Sequence, residues 1–151
     1  MPADGPTRVI GVGNPDRGDD GAGVAVARRL RDLARPGVEV LESGGDALSV
    51  LGAVRGAGRV ILVDAIRSGA APGSVRRIGG DADLLSSALR AGSSHDLGPA
   101  EALGLARALG ELPERVEVIG IEGADFAPGA GLSPEVERAV DEVARQIRLE
   151  V

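Results

Sequence analysis

Short runs of Val, Ile and Leu alternate along the chain with longer amphipathic stretches, a pattern typical of a sheet covered by helices. The pattern predicts strands at 8–12, 38–41, 59–63 and 116–121, and a weaker edge strand at 74–78. It predicts helices at 21–34, 47–54, 99–109 and 134–149. Nearly continuous apolar residues indicate strands buried on both faces. We therefore expect an α/β fold: a three-layer sandwich with a mostly parallel, twisted sheet of about five strands and helices on both faces.

The last helix has the clearest signals. Ser133 is placed to cap it, Pro134 suits its first position, and Glu135 follows in the first turn. Apolar residues recur at helical spacing and predict one buried stripe. These residues are Val136, Val140, Val143, Ala144 and Ile147. The segments 67–73, 79–83 and 91–98 are rich in Gly, Ser, Ala and Asp and are predicted loops.

Composition narrows the class of protein. The 151 residues, 43% of them hydrophobic, fit a single domain over 1–151. A net charge of −6, with no stripe of arginines, argues against nucleic acid as a partner. The absence of cysteine excludes a thiolate metal site and a cysteine nucleophile. With no predicted leader or membrane span, we expect a cytoplasmic protein that does not bind membranes. We also expect a monomer.

A glycine-rich loop follows the first strand and carries two adjacent carboxylates, Asp19 and Asp20. Gly11 and Gly13 match the start of a dinucleotide-binding fingerprint, but its third glycine position falls on Asp16. Carboxylates at a helix start repel a pyrophosphate. A Rossmann-like nucleotide-binding protein therefore remains only an alternative, favoured solely by Glu42 at the end of the second strand.

Polar residues follow every predicted parallel strand. In open α/β sheets, ligands bind outside the carboxyl ends of the strands, so these side chains are expected at one rim. The residues are Asn14, Asp16, Asp19, Asp20, Glu42, Asp46, Asp64, Glu122 and Asp125.

Asp20 and Asp64, together with His95, form a candidate site. Asp64 ends the apolar run 60–63, although a turn or cap role is an equal alternative. Of the Asp19 and Asp20 pair, we assign one carboxylate to the helix start and the other to the crevice. His95 is the only histidine and precedes a helix that favours its neutral form, although a surface role is the more common one. One imidazole and two carboxylates can bind a divalent metal ion with one position open.

Other chemistry finds less support in the sequence. A Ser/His/Asp hydrolase is disfavoured because no G-x-S-x-G elbow occurs. Asn14 is placed to orient Asp20 or to donate to an oxyanion, although a turn role is the simpler interpretation. Phe126 is the only aromatic residue and is expected to be buried.

Four motifs in order resemble the nickel-iron hydrogenase maturation proteases. They are Gly11-Val12-Gly13-Asn14 with Asp19-Asp20-Gly21-Ala22-Gly23, then Val63-Asp64-Ala65-Ile66, Ser94-His95-Asp96-Leu97-Gly98, and Gly131-Leu132-Ser133-Pro134. The resemblance covers nearly the whole chain. It departs from the family pattern in the second loop, Glu42-Ser43-Gly44-Gly45-Asp46, so the resemblance does not fix the precursor specificity.

The resemblance implies an endopeptidase that removes a C-terminal extension from the hydrogenase large-subunit precursor after nickel insertion. By motif position, the family's metal-binding residues fall on Asp20, Asp64 and His95. It also implies that the nickel is presented by the precursor and that no permanent organic cofactor is needed. The alternative is a metal-dependent module that binds the precursor, in a chaperone-like way, without cutting it.

Overall fold

The computed structural model of the chain describes residues 5–79 and 98–151. Within these residues a five-stranded sheet has the order β2-β1-β3-β5-β4. β1, β2, β3 and β5 are parallel, and β4 pairs antiparallel to β5 at one edge. The strands are β1 (Thr7–Val12), β2 (Val38–Ser43), β3 (Arg59–Ile66), β4 (Val75–Gly79) and β5 (Arg115–Glu122). The helices are α1 (Ala22–Arg29), α2 (Ala47–Val54), α3 (Pro99–Ala108) and α4 (Pro134–Glu150).

Two apolar clusters cover the two faces of the sheet and make a three-layer sandwich. Alternate strand residues such as Val9, Ile61 and Ile119 pack with α1 and α4. The intervening residues, such as Ile10 and Leu62, pack with α2 and α3. This arrangement confirms the predicted α/β class and the helices on both faces.

Within residues 5–79 and 98–151, the predicted strands and helices occur in the predicted order, with a few corrections. The predicted helix 21–34 ends as α1 at Arg29 and is followed by a short 3-10 helix, Arg31–Leu33. β2 lies at a sheet edge, so it is only partly buried and exposes Glu39, contrary to the expectation for every parallel strand. The apolar stripe of α4 is buried as predicted. The predicted loops at 79–83 and 91–98 fall almost entirely outside the described residues.

Glycines bring α1 unusually close to the sheet. A Cβ on Gly23 would lie 2.2 Å from the carbonyl oxygen of Val63 and 2.5 Å from that of Val12. A Cβ on Gly11 would lie 2.2 Å from the carbonyl oxygen of Gly23. The first turn of α1 therefore contacts β1 and β3 through backbone atoms, beside the carboxyl ends of both strands. Within the described part of the chain, no helix is long and apolar enough to cross a membrane.

Replacing Gly23 by Ala is expected to lower the free energy of unfolding by about 1–3 kcal/mol, because the added methyl forces α1 away from the sheet. The matched control is Gly52→Ala in α2, where an added Cβ meets nothing within 4 Å. That control should gain about 0.5–1 kcal/mol from helix propensity. Denaturant unfolding followed by far-ultraviolet circular dichroism measures both. Equal stability changes in the two variants would contradict this account of the packing.

Candidate functional site

Asp19 is fully buried and holds the loop between β5 and α4. Its Oδ2 accepts hydrogen bonds from the backbone N–H groups of Ala124 (2.7 Å) and Asp125 (2.9 Å) and from the Ser133 hydroxyl (2.6 Å). Its Oδ1 accepts the Ser133 N–H at 2.7 Å. Burial alone raises the pKa of Asp19, but the hydrogen bonds, led by the Ser133 hydroxyl, outweigh it and the net pKa is lowered. Asp19 is thus an ionised structural acceptor.

This arrangement corrects two expectations. Asp19 does not cap α1, whose N-cap residue Gly21 has no side-chain hydrogen bond. Ser133 stands at the N-cap position of α4, but its side chain makes no capping bond and donates to Asp19 instead. The first carboxylate of the pair therefore secures the start of α4, on the far side of the loop.

Asp20 fixes the glycine loop. Its Oδ2 accepts the backbone N–H of Asn14 at 3.0 Å, and the side chain is 3% exposed. The Asn14 side chain accepts the Asp16 N–H at 2.9 Å, which is the simple turn role. A loop N–H that a phosphate would use is already bonded to a carboxylate, which argues further against the nucleotide-binding alternative.

Asp64 is fully buried in β3. The strand continues to Ile66, so the prediction that Asp64 ends it is wrong. In β3, Asp64 alternates with Val63 and Ala65 and shares the face of Leu62, which packs with α2 and α3. A buried carboxylate costs free energy unless it is hydrogen-bonded or meets a cation. Its burial at the carboxyl-end half of a central strand keeps Asp64 a candidate site residue.

Most of the remaining rim carboxylates have structural partners. Glu122, at the end of β5, is buried and accepts hydrogen bonds from Ser68 N (2.9 Å), Ser68 Oγ (2.5 Å) and Gly69 N (3.3 Å). Asp46 caps α2 by accepting the Ser49 N–H at 3.0 Å, and Asp125 accepts the Ala127 N–H at 2.9 Å. The Glu122 clamp spans more than fifty positions of sequence and has no local signal that could have predicted it.

Glu42 and Phe126 also have partners in the structure. Glu42 pairs with Arg28 at 3.3 Å and with Arg31, and these arginines lower the pKa of Glu42 against the opposing effect of burial. Glu42 is thus an ion-pair residue at the surface. Phe126 is buried as predicted, and the Arg67 guanidinium lies 4.0 Å from its ring centroid.

Two of the three predicted site residues lie in the described part of the chain. The 3-10 turn that carries Asp20 (Gly18–Gly21) packs against β3, the strand of Asp64, so both carboxylates belong to the same end of the sheet. His95 lies outside the described residues. α3 begins at Pro99, shortly after His95, and packs on the face of the sheet that Asp64 shares. Within residues 5–79 and 98–151, no three His, Cys, Asp or Glu side chains are grouped as a metal site.

The Asp19 hydrogen bonds predict a pH-dependent contribution to stability. Asp19→Asn replaces an acceptor by an amide and is expected to cost about 2–4 kcal/mol at pH 7. Because the folded pKa of Asp19 is lowered, its contribution is present above the unfolded value of 3.8. This contribution is lost as pH falls through the lower folded pKa. The difference in free energy of unfolding between wild type and variant should therefore narrow below about pH 4.

Denaturant unfolding at pH 7 and at about pH 3 measures this gap. The control is Asp46→Asn, since asparagine caps a helix about as well as aspartate. If Asp19→Asn and Asp46→Asn lower the free energy of unfolding equally at pH 7, the structural role of Asp19 is contradicted.

Comparison with known proteins identifies the family of the chain. A family model described as hydrogenase maturation protease matches residues 24–150. The hydrogenase 2 maturation protease of Escherichia coli strain K12 is 31% identical over 142 residues, which cover 92% of this chain and 86% of that protein.

Solved structures match the fold as well. The hydrogenase maturating endopeptidase HybD from E. coli superposes with a TM-score of 0.80 at 25% identity, over 94% of this chain and 89% of that one. The [NiFe] hydrogenase maturation protease HybD from Thermococcus kodakarensis gives a TM-score of 0.77 at 28% identity, over 95% and 97%. From the family match, the sequence relative and the shared fold, we conclude that this chain is an endopeptidase of the hydrogenase maturation protease family.

Proposed function

We propose that this endopeptidase removes a C-terminal extension from the large-subunit precursor of a nickel-iron hydrogenase, in the cytoplasm, after nickel has been inserted. Asp20, Asp64 and His95 recognise the nickel that the precursor presents. The observation that carries the proposal is the pair of buried carboxylates, Asp20 and Asp64, at the carboxyl end of the sheet in a member of this family. His95 is included in the proposed site because of its motif and because it precedes α3 in the sequence.

The residues fit nickel bound in a substrate. Carboxylate and imidazole groups suit divalent first-row metals, and three such ligands leave room for groups that remain from the precursor. Nickel supplies a positive centre that polarises a carbonyl or a water. The chain needs no metal of its own in this scheme, since the ion is part of the substrate.

The chain's own residues supply positioning and proton transfer. The Asn14 N–H fixes one oxygen of Asp20, so this carboxylate is oriented before the precursor binds. Asp64 is held in place by β3, a strand paired on both sides. Once the three side chains dock on the nickel, the scissile peptide lies beside them, and Asp20 or Asp64 takes a proton from the attacking water. A precursor without nickel does not dock and is not cut.

The first test incubates the protein with a candidate large-subunit precursor, either nickel-loaded or nickel-free, and follows both by intact-mass analysis. We expect loss of a C-terminal peptide from the nickel-loaded form alone. Cleavage of both forms would contradict nickel recognition. If the protein binds the precursor but cuts neither form, the proteolytic role is overturned and the alternative of a precursor-binding module is favoured.

The second test changes the proposed ligands. His95→Ala and Asp64→Asn are each expected to lower the cleavage rate by at least about 100-fold, because each removes a group that positions or activates the reacting atoms. Circular dichroism should show an unchanged fold. The matched control is Asp141→Asn, an exposed residue of α4 that pairs with Arg29 at 2.6 Å, and it should cleave at the wild-type rate. Normal processing by either ligand variant would contradict the assignment of that residue.

A further inference from the structure

Arg67 is held at the rim by contacts on both sides. It follows Ile66, the last residue of β3, whose carbonyl accepts the Gly123 N–H at 3.0 Å. The next two N–H groups, of Ser68 and Gly69, donate to the buried carboxylate of Glu122. The Arg67 backbone is therefore fixed between two anchored points, three residues beyond Asp64.

The Arg67 side chain is also placed by an aromatic ring. Its guanidinium lies 4.0 Å from the centroid of Phe126, and that ring is 8% exposed. Phe126 belongs to the loop that Asp19 anchors through Ala124 and Asp125. A guanidinium over an aromatic ring keeps N–H groups that are able to donate to a further partner.

No carboxylate in the part of the chain that the structure describes pairs with the charge of Arg67. Nine other arginines there form ion pairs with Asp or Glu. Arg67 has neither an ion pair nor a side-chain hydrogen bond among the described residues, a property shared by Arg17, Arg76, Arg115 and Arg138, but of these it alone lies over an aromatic ring. Arg67 is exposed. The chain thus presents a rigid cation at the same end of the sheet as Asp20 and Asp64, where most of the fixed charges are negative.

We propose that Arg67 is a specificity residue that binds a carboxylate of the precursor's C-terminal extension. A stacked guanidinium offers a planar pair of donors that matches a carboxylate in two-point geometry. Such a contact lies outside the reacting atoms and selects which extension is presented for cleavage. The inference rests on the proposed function, because the extension is the substrate named there.

The test measures steady-state cleavage of the nickel-loaded precursor by Arg67→Met, Arg67→Lys and wild type. Arg67→Met keeps an apolar cover over Phe126 but removes the charge, and we expect KM to rise about tenfold with kcat nearly unchanged. Arg67→Lys keeps the charge without the planar fork and should fall between the two. The control, Arg138→Gln, removes one exposed arginine of α4 that has no ion pair among the described residues, and should match wild type.

Two substrate variants distinguish the sources of the carboxylate. In one, the acidic side chains of the extension are changed to Asn and Gln; in the other, Gly-Ser-Gly is added after its last residue. If removal of the acidic side chains raises the KM of wild type but not that of Arg67→Met, the partner is a side-chain carboxylate. If the added Gly-Ser-Gly has this effect instead, the partner is the terminal carboxylate.

An unchanged KM for Arg67→Met would overturn the inference and leave Arg67 as a cover for Phe126. A loss of kcat with unchanged KM would overturn it too, because the residue would then act on the reacting centre. Both results can be interpreted only if wild type cleaves the precursor. Failure of wild type to cleave would instead count against the proposed function.

Discussion

Four hydrogen-bond donors from one loop converge on the carboxylate of Asp19, and the arrangement of the rim depends on this contact. The bonds join the 3-10 turn before α1 to the start of α4, two elements that are far apart in sequence. Because Asp20 is the next residue, the same contact limits how Asp20 can move. The fold thus uses one carboxylate, Asp19, to restrict the position of the next residue, Asp20.

The same solution recurs around the rim. The Glu122 carboxylate holds the loop after β3, Asp20 holds the glycine loop, and Asp46 holds the start of α2. In each case an anion accepts backbone N–H groups that would otherwise need water or a phosphate. The acidic rim predicted from the sequence is therefore largely a set of loop anchors. Asp64 differs from them in its place, since it projects from a central strand and not from a loop.

The sequence predicts the elements well because hydrophobic periodicity and capping residues are local signals. The order of strands and helices, the buried stripe of α4 and the edge position of β4 all follow from such signals. The roles of individual carboxylates do not. Asp19 looks like a helix cap from its neighbours, but its partners lie 105 to 114 residues away. The contact of Arg67 with Phe126 depends in the same way on loops that meet only after folding.

A site that reads the metal content of its substrate must bind the loaded and empty forms with different free energies. Carboxylates on flexible loops would reduce the difference between these binding free energies. When no metal is present, such carboxylates could turn toward neighbouring arginines and form ion pairs with them. At this rim the glycine loop is bonded to Asp20, and Asp64 belongs to a central strand, so the fold limits the freedom of both carboxylates. On the proposed function, this rigidity helps to discriminate the nickel-loaded precursor from the nickel-free one. On the proposed function, the hydrogen bonds of Asp19 matter for selectivity as well as for the stability of the fold.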